Sequence, residues 1–105
     1  MNANITVFGE SYKVTIKESR YNNNGNIALV AYNQEDNSLF GKITANIEET
    51  IKKGYILVKT YGENEEWVPQ ILAQLPNNFR STGQTLSVGF TELEIWEYFP
   101  ESINN

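Results

Sequence analysis

The sequence predicts an α+β domain, an antiparallel sheet of about five to seven strands with one amphipathic helix packed on it. Three observations lead there. Apolar and polar residues alternate with a period of two in the first half, most clearly over 12–17, where Tyr12, Val14 and Ile16 share one face. Clusters of Asn and Gly punctuate these runs. A single stretch near the middle repeats its apolar residues at helical spacing: Trp67, Val68, Ile71, Leu72 and Leu75.

Taken in order, the first strand is expected around Ile5, Thr6, Val7 and Phe8, and Gly9 permits the tight turn into the second strand at 12–17. The Asn22–Asn26 cluster, with Asn24-Gly25 at its centre, is a turn because these residues tolerate left-handed backbone. Residues 27–32 are apolar almost throughout, as befits a central strand buried on both faces. A polar turn over 33–38 leads to a fourth strand at 39–46 with weaker alternation. Residues 47–54 admit a helical turn or a charged loop, since Glu48 and Glu49 stand four residues before Lys52 and Lys53. Gly54 releases a fifth strand at 55–60. The helix is expected to begin near 64–66, because Pro69 fits only a first turn, and to stop before Pro76. Glu63, Glu65 and Glu66 then sit at its N-terminal end, where the helix dipole favours anions. After a loop over 76–83, two strands close the domain at 84–90 and 93–98. One domain over 1–99 with a frayed tail over 100–105 accounts for the 105 residues.

Composition excludes several kinds of chemistry. With neither cysteine nor histidine, the chain has no disulfide framework, no thiol nucleophile and no imidazole base or ligand. It contains no GxGxxG or Walker-like spacing for a nucleotide enzyme. No apolar run approaches a membrane span, and Met1-Asn2-Ala3-Asn4 does not read as a signal peptide, so a soluble protein of the cytosol is expected. Charge is uneven. Six basic and six acidic groups balance over 1–54, whereas 55–105 set only Lys59 and Arg80 against seven glutamates, so the net charge of −5 lies in the second half. A general nucleic-acid binder would carry the opposite sign.

The glutamates are the remaining candidates. Glu63, Glu65 and Glu66 could act as paired carboxylates or metal ligands, but a charged helix start explains them without chemistry. Glu92 and Glu94 alternate with Leu93 and Ile95, as the solvated face of a strand does. Tyr21, Tyr32, Tyr61, Trp96 and Tyr98 could stack single-stranded nucleic acid, yet strand aromatics mostly pack, and the aromatic-rich half is the acidic half. Acidic residues interleaved with aromatics over 92–98 suit an interface to a basic protein, with aromatics as anchors and carboxylates steering.

Three stretches together resemble a small family of uncharacterised domains carried by conjugative elements, plasmids and phages of Gram-positive bacteria. They are Phe8-Gly9 and Tyr12 with the Tyr21–Gly25 turn; Val58-Lys59-Thr60-Tyr61-Gly62-Glu63-Asn64-Glu65-Glu66; and Thr82-Gly83, Gly89-Phe90 and Trp96. The resemblance implies a genomic setting and transfers no catalytic residue. Small acidic domains in that setting include inhibitors of host defence, and proteins similar to this one have been considered as anti-CRISPR candidates. The resulting expectation is a non-enzymatic binding protein without cofactor or metal. It would contact a CRISPR effector nuclease through Tyr61, Glu63, Glu65, Glu66, Glu92, Glu94, Glu97 and Tyr98, and block nucleic-acid binding or cleavage. The alternatives are a nucleic-acid-binding or accessory protein of a conjugative element and, behind it, a metal-dependent enzyme using the glutamate cluster. A homodimer stays open.

Overall fold

The computed structural model describes residues 1–100; of the tail expected over 100–105, residues 101–105 lie outside the described residues. The chain starts as an antiparallel meander, β1 (Asn2–Val7), β2 (Glu10–Arg20), β3 (Ile27–Asn33) and β4 (Leu39–Lys42), which form a four-stranded sheet in that order. β5 (Tyr55–Val58) follows, then a 3-10 turn at Gly62–Asn64 and helix α1 (Val68–Gln74). β6 (Phe79–Val88) and β7 (Thr91–Tyr98) complete a three-stranded antiparallel sheet of order β5-β7-β6. The class is α+β, and the single sheet expected from the sequence is two sheets.

The split has a local cause. The expected fourth strand over 39–46 pairs with β3 only as far as Lys42 and then changes partner. Ile43 still donates its N–H to the Leu29 carbonyl (2.9 Å), while its own carbonyl accepts from Lys59 N–H (2.9 Å). Thr44 bridges Val58, and Ala45 N–H reaches the Leu57 carbonyl (3.1 Å). This short crossover joins the two sheets. Asparagine side chains of the Asn22–Asn26 turn then hold the following loop: Asn24 Nδ2 donates to the Ile47 carbonyl (2.6 Å), and Asn26 Nδ2 to that of Glu49 (2.9 Å).

Strand alternation decides what is buried. Val14 and Ile16 of β2, Ile5 of β1 and Leu29 and Ala31 of β3 meet Ile56 and Val58 of β5 in the main core, with Val68, Ile71 and Leu72 of α1. Leu57 points the other way and joins Leu93 and Ile47 in a second cluster. Tyr98 belongs to the main core at 4% exposure. Its ring stacks on Phe79 with centroids 5.5 Å apart, and its hydroxyl donates to Glu18 Oε1 across the sheets (2.8 Å). The expectation that Tyr98 is a surface anchor is therefore corrected. It lies at even spacing from Trp96, on the face of β7 that turns inward.

The helix starts later than its apolar stripe suggests. Glu63 lies in the 3-10 turn and Glu65 and Glu66 in the turn after it, so no acidic residue occupies the first turn of α1. Bonds from Glu65 N–H to the Gly62 carbonyl and from Trp67 N–H to that of Asn64 use this stretch for tight turns (3.1 and 3.2 Å). Pro69, in the first turn of α1, keeps the regular helix from extending back through it. No helix among the described residues is long and apolar enough to cross a membrane.

α1 lies along the outer edge of β1. Asn4 N–H donates to Gln74 Oε1 and Thr6 N–H to Gln70 Oε1 (2.9 Å each). In return Gln70 Nε2 donates to the Thr6 carbonyl (2.8 Å) and Gln74 Nε2 to that of Asn4. Each glutamine thus satisfies both backbone groups of one residue, as a neighbouring strand would. The spacing permits it: four helical residues rise about 6.0 Å and two strand residues span about 6.6 Å. Replacing Gln70 or Gln74 by Ala should each cost about 1–2 kcal/mol in urea unfolding, with β1 amides exchanging faster than those of β3. Leu72→Ala should cost about 2–4 kcal/mol by the same measurement, since it empties core beside Ile71.

Candidate functional site

The β1–β2 connection is a two-residue loop between the paired residues Val7 and Glu10. Phe8 and Gly9 both have left-handed backbone, with φ of 50° and 82°, as a type I′ turn requires. Asn or Asp normally precedes the glycine there. A phenylalanine in that conformation is strained, and this one is also 88% exposed. Neither its backbone nor its burial favours Phe at this position.

Phe8 rims a groove of about 680 Å³, with Leu39 of β4 and Tyr61 as further exposed rim residues. Phe40 and Trp67 form the apolar floor in edge-to-face contact, with ring centroids 5.2 Å apart, and Tyr12 continues the aromatic row at 5.3 Å from Phe40. Gly41 makes this floor possible. A Cβ there would lie 2.5 Å from Cζ2 of Trp67, so only glycine lets the indole settle on β4. Asn64, 4% exposed, holds the Tyr61 side in place by donating from Nδ2 to the carbonyls of Lys42 (2.7 Å) and Lys59 (3.0 Å). Tyr21, also lining the groove, is anchored through its hydroxyl to the Thr44 side chain (3.0 Å). Two cations line the groove as well: Lys42, and Lys59, whose Nζ lies 5.2 Å from the Tyr61 ring centroid. Among the described residues, Glu63 is the one acidic residue of the lining.

The structure separates the residues expected to form one acidic surface. Tyr61 and Glu63 reach the groove, and Glu65 and Glu66 are exposed in the adjoining turn. Glu92 is exposed and accepts from the Thr85 hydroxyl (3.1 Å). Glu94 is half-buried and engaged by the Thr60 hydroxyl (3.2 Å) and the Trp96 indole N–H (2.9 Å). Glu97 alternates to the other face of β7, where Arg80 grips both its oxygens (2.9 and 2.8 Å). That pair raises the guanidinium pKa further above its ordinary value, the hydrogen bond to Glu97 being the main cause. No three acidic side chains converge as a metal-binding group among the described residues, so Glu63, Glu65 and Glu66 do not assemble a donor set.

Phe8, Leu39, Lys42 and Lys59 were not singled out as site residues by the sequence. The one signal that could have found them is Phe-Gly at a tight turn where Asn-Gly is the favoured pair. No family model matches this chain, and no curated protein or solved structure matches it.

Gly41→Ala tests the floor. It should destabilise the protein by about 1–3 kcal/mol and shift the tryptophan emission to the red as Trp67 is displaced towards solvent.

Proposed function

We propose that the protein is a non-enzymatic binding protein that takes an apolar segment of a protein partner into the groove rimmed by Phe8, Leu39 and Tyr61. The observation that carries this reading is Phe8. Strained backbone and solvent exposure together disfavour Phe in the free protein, and both are explained if the ring is an anchor that becomes covered on binding. Glu63, Glu65 and Glu66 stand beside Tyr61 and suit the approach to a basic surface. The resemblance to domains of mobile elements makes a CRISPR effector nuclease the partner of choice, contacted directly in the bacterial cytosol so that nucleic-acid binding or cleavage is blocked. Such nucleases hold nucleic acid in positively charged channels.

A second reading has a specific observation in its favour. Phe8 and Tyr61 could stack bases while Lys42 and Lys59 meet phosphates, as in single-strand binders. The net charge of −5 weighs against it. Anisotropy with single-stranded oligonucleotides at low salt separates the two readings, since micromolar binding that collapses with salt belongs to the second.

The main test is capture from a CRISPR-bearing host lysate, followed by a cleavage assay on the effector recovered. Phe8→Asn should raise stability by about 0.5–1 kcal/mol, because Asn tolerates the left-handed conformation, and should weaken partner binding about tenfold or more. Lys at Glu63, Glu65 and Glu66 should slow association without altering the fold. If Phe8→Asn and Tyr61→Ala both inhibit cleavage as well as wild type, the groove is not the binding site.

A further inference from the structure

We propose that the outer edge of β6 pairs with the same edge of a second copy, giving a two-fold dimer. The argument comes from comparing the two hairpins. In β1–β2 the pair Val7 and Glu10 flanks a two-residue loop, and Thr6 and Asn4, one and three residues before Val7, turn their backbone groups outward, where Gln70 and Gln74 receive them. The β6–β7 hairpin repeats this pairing pattern. Val88 and Thr91 flank the two-residue loop Gly89-Phe90, so Ser87 and Thr85 hold the places of Thr6 and Asn4.

Among the described residues no side chain or strand receives them. β6 ends its sheet, and among the described residues nothing pairs with its outer edge. The other edges are engaged to different degrees. β1 is closed by the two glutamines and β5 is met by the crossover at Thr44, while on the short β4 the Lys42 carbonyl accepts from Asn64. An open edge with unsatisfied backbone groups is a template for another strand.

The occupant that fits is the same segment turned end for end. In an antiparallel pair with its two-fold axis at Leu86, Ser87 of each copy lies opposite Thr85 of the other. The outward residues therefore exchange N–H and C=O bonds directly. No charged residue lies between Arg80 and Glu92, so the seam brings no like charges together. The same register carries each hairpin tip past Thr82 and Gly83 of the other copy. This covers Phe90, which is fully exposed in the single chain, and Val88, which is 40% exposed. The bulge between Ser81 and Gln84 limits regular pairing to residues 84–88, so the seam is short.

Sedimentation equilibrium of the full chain, from micromolar to submillimolar concentration, tests this. The expected result is a rise from the 12.0 kDa monomer to twice that mass. Ser87→Pro removes an outward donor while leaving the β7 ladder intact, and should weaken the dimer about tenfold or more. Phe90→Asp, at an exposed loop position, should weaken it independently and serves if the proline variant fails to fold. Phe8→Asn should leave it unchanged. A monomer at every concentration overturns the proposal, as does a folded Ser87→Pro or Phe90→Asp chain that dimerises like wild type. So does a dimer that Phe8→Asn dissolves, which would place the contact at the groove.

Discussion

The closure of the β1 edge by Gln70 and Gln74 is the contact on which the other placements depend. Two side-chain amides, four residues apart on a helix, take the place of a strand against Asn4 and Thr6. Once α1 is seated there, its apolar residues Val68, Ile71 and Leu72 enter the core between the sheets. Trp67, just ahead of the helix, comes down on Gly41, and Asn64 reaches the backbone on both sides of the sheet junction. The floor and one wall of the groove are thus by-products of sealing an edge. A domain of this size has a small core, and an unsealed strand beside it would leave backbone groups to solvent or to other chains.

The groove combines a firm floor with a strained rim. Phe40, Trp67 and Asn64 are locked by packing and hydrogen bonds, so they present a preformed surface at little entropic cost on binding. Phe8 is the opposite case, exposed and held in a conformation that Asn or Gly would adopt more readily. Binding sites commonly combine these properties, because the residues that contact a partner are not those that optimise the free fold.

Electrostatics are more local than the composition implies. The acidic excess of the second half does not gather on one face. Glu94 is engaged by Thr60 and Trp96, Glu97 by Arg80, and Glu18 of the first half binds the Tyr98 hydroxyl. Glu63, Glu65 and Glu66 remain as an exposed group, next to a groove that carries Lys42 and Lys59. At physiological salt such charges act over about 8 Å, so the field a partner meets is set by this neighbourhood and less by the net charge.

Much of the fold was legible because it is local. Alternation at Tyr12, Val14 and Ile16 marks a strand and its inward side, and Gly9 and the Asn24-Gly25 pair mark turns. The stripe from Trp67 to Leu72 names the buried side of the helix. Each of these signals needs only a residue and its near neighbours. The sequence did not reveal that the segment after Lys42 would exchange β3 for β5, since periodicity says which side faces inward but not which strand lies alongside. Nor did it distinguish Tyr98 from Tyr61. Both precede or follow acidic residues, and only the stacking of Phe79 from the neighbouring strand and the bond to Glu18 across the sheets bury one and leave the other on the groove rim. Gln70 and Gln74 look like the solvated face of a helix until β1 is beside them. Local chemistry determined the elements and their apolar sides; the tertiary structure decided which edges were closed, which aromatics were covered and where the exposed ones met, because those outcomes depend on contacts between residues as much as 80 positions apart.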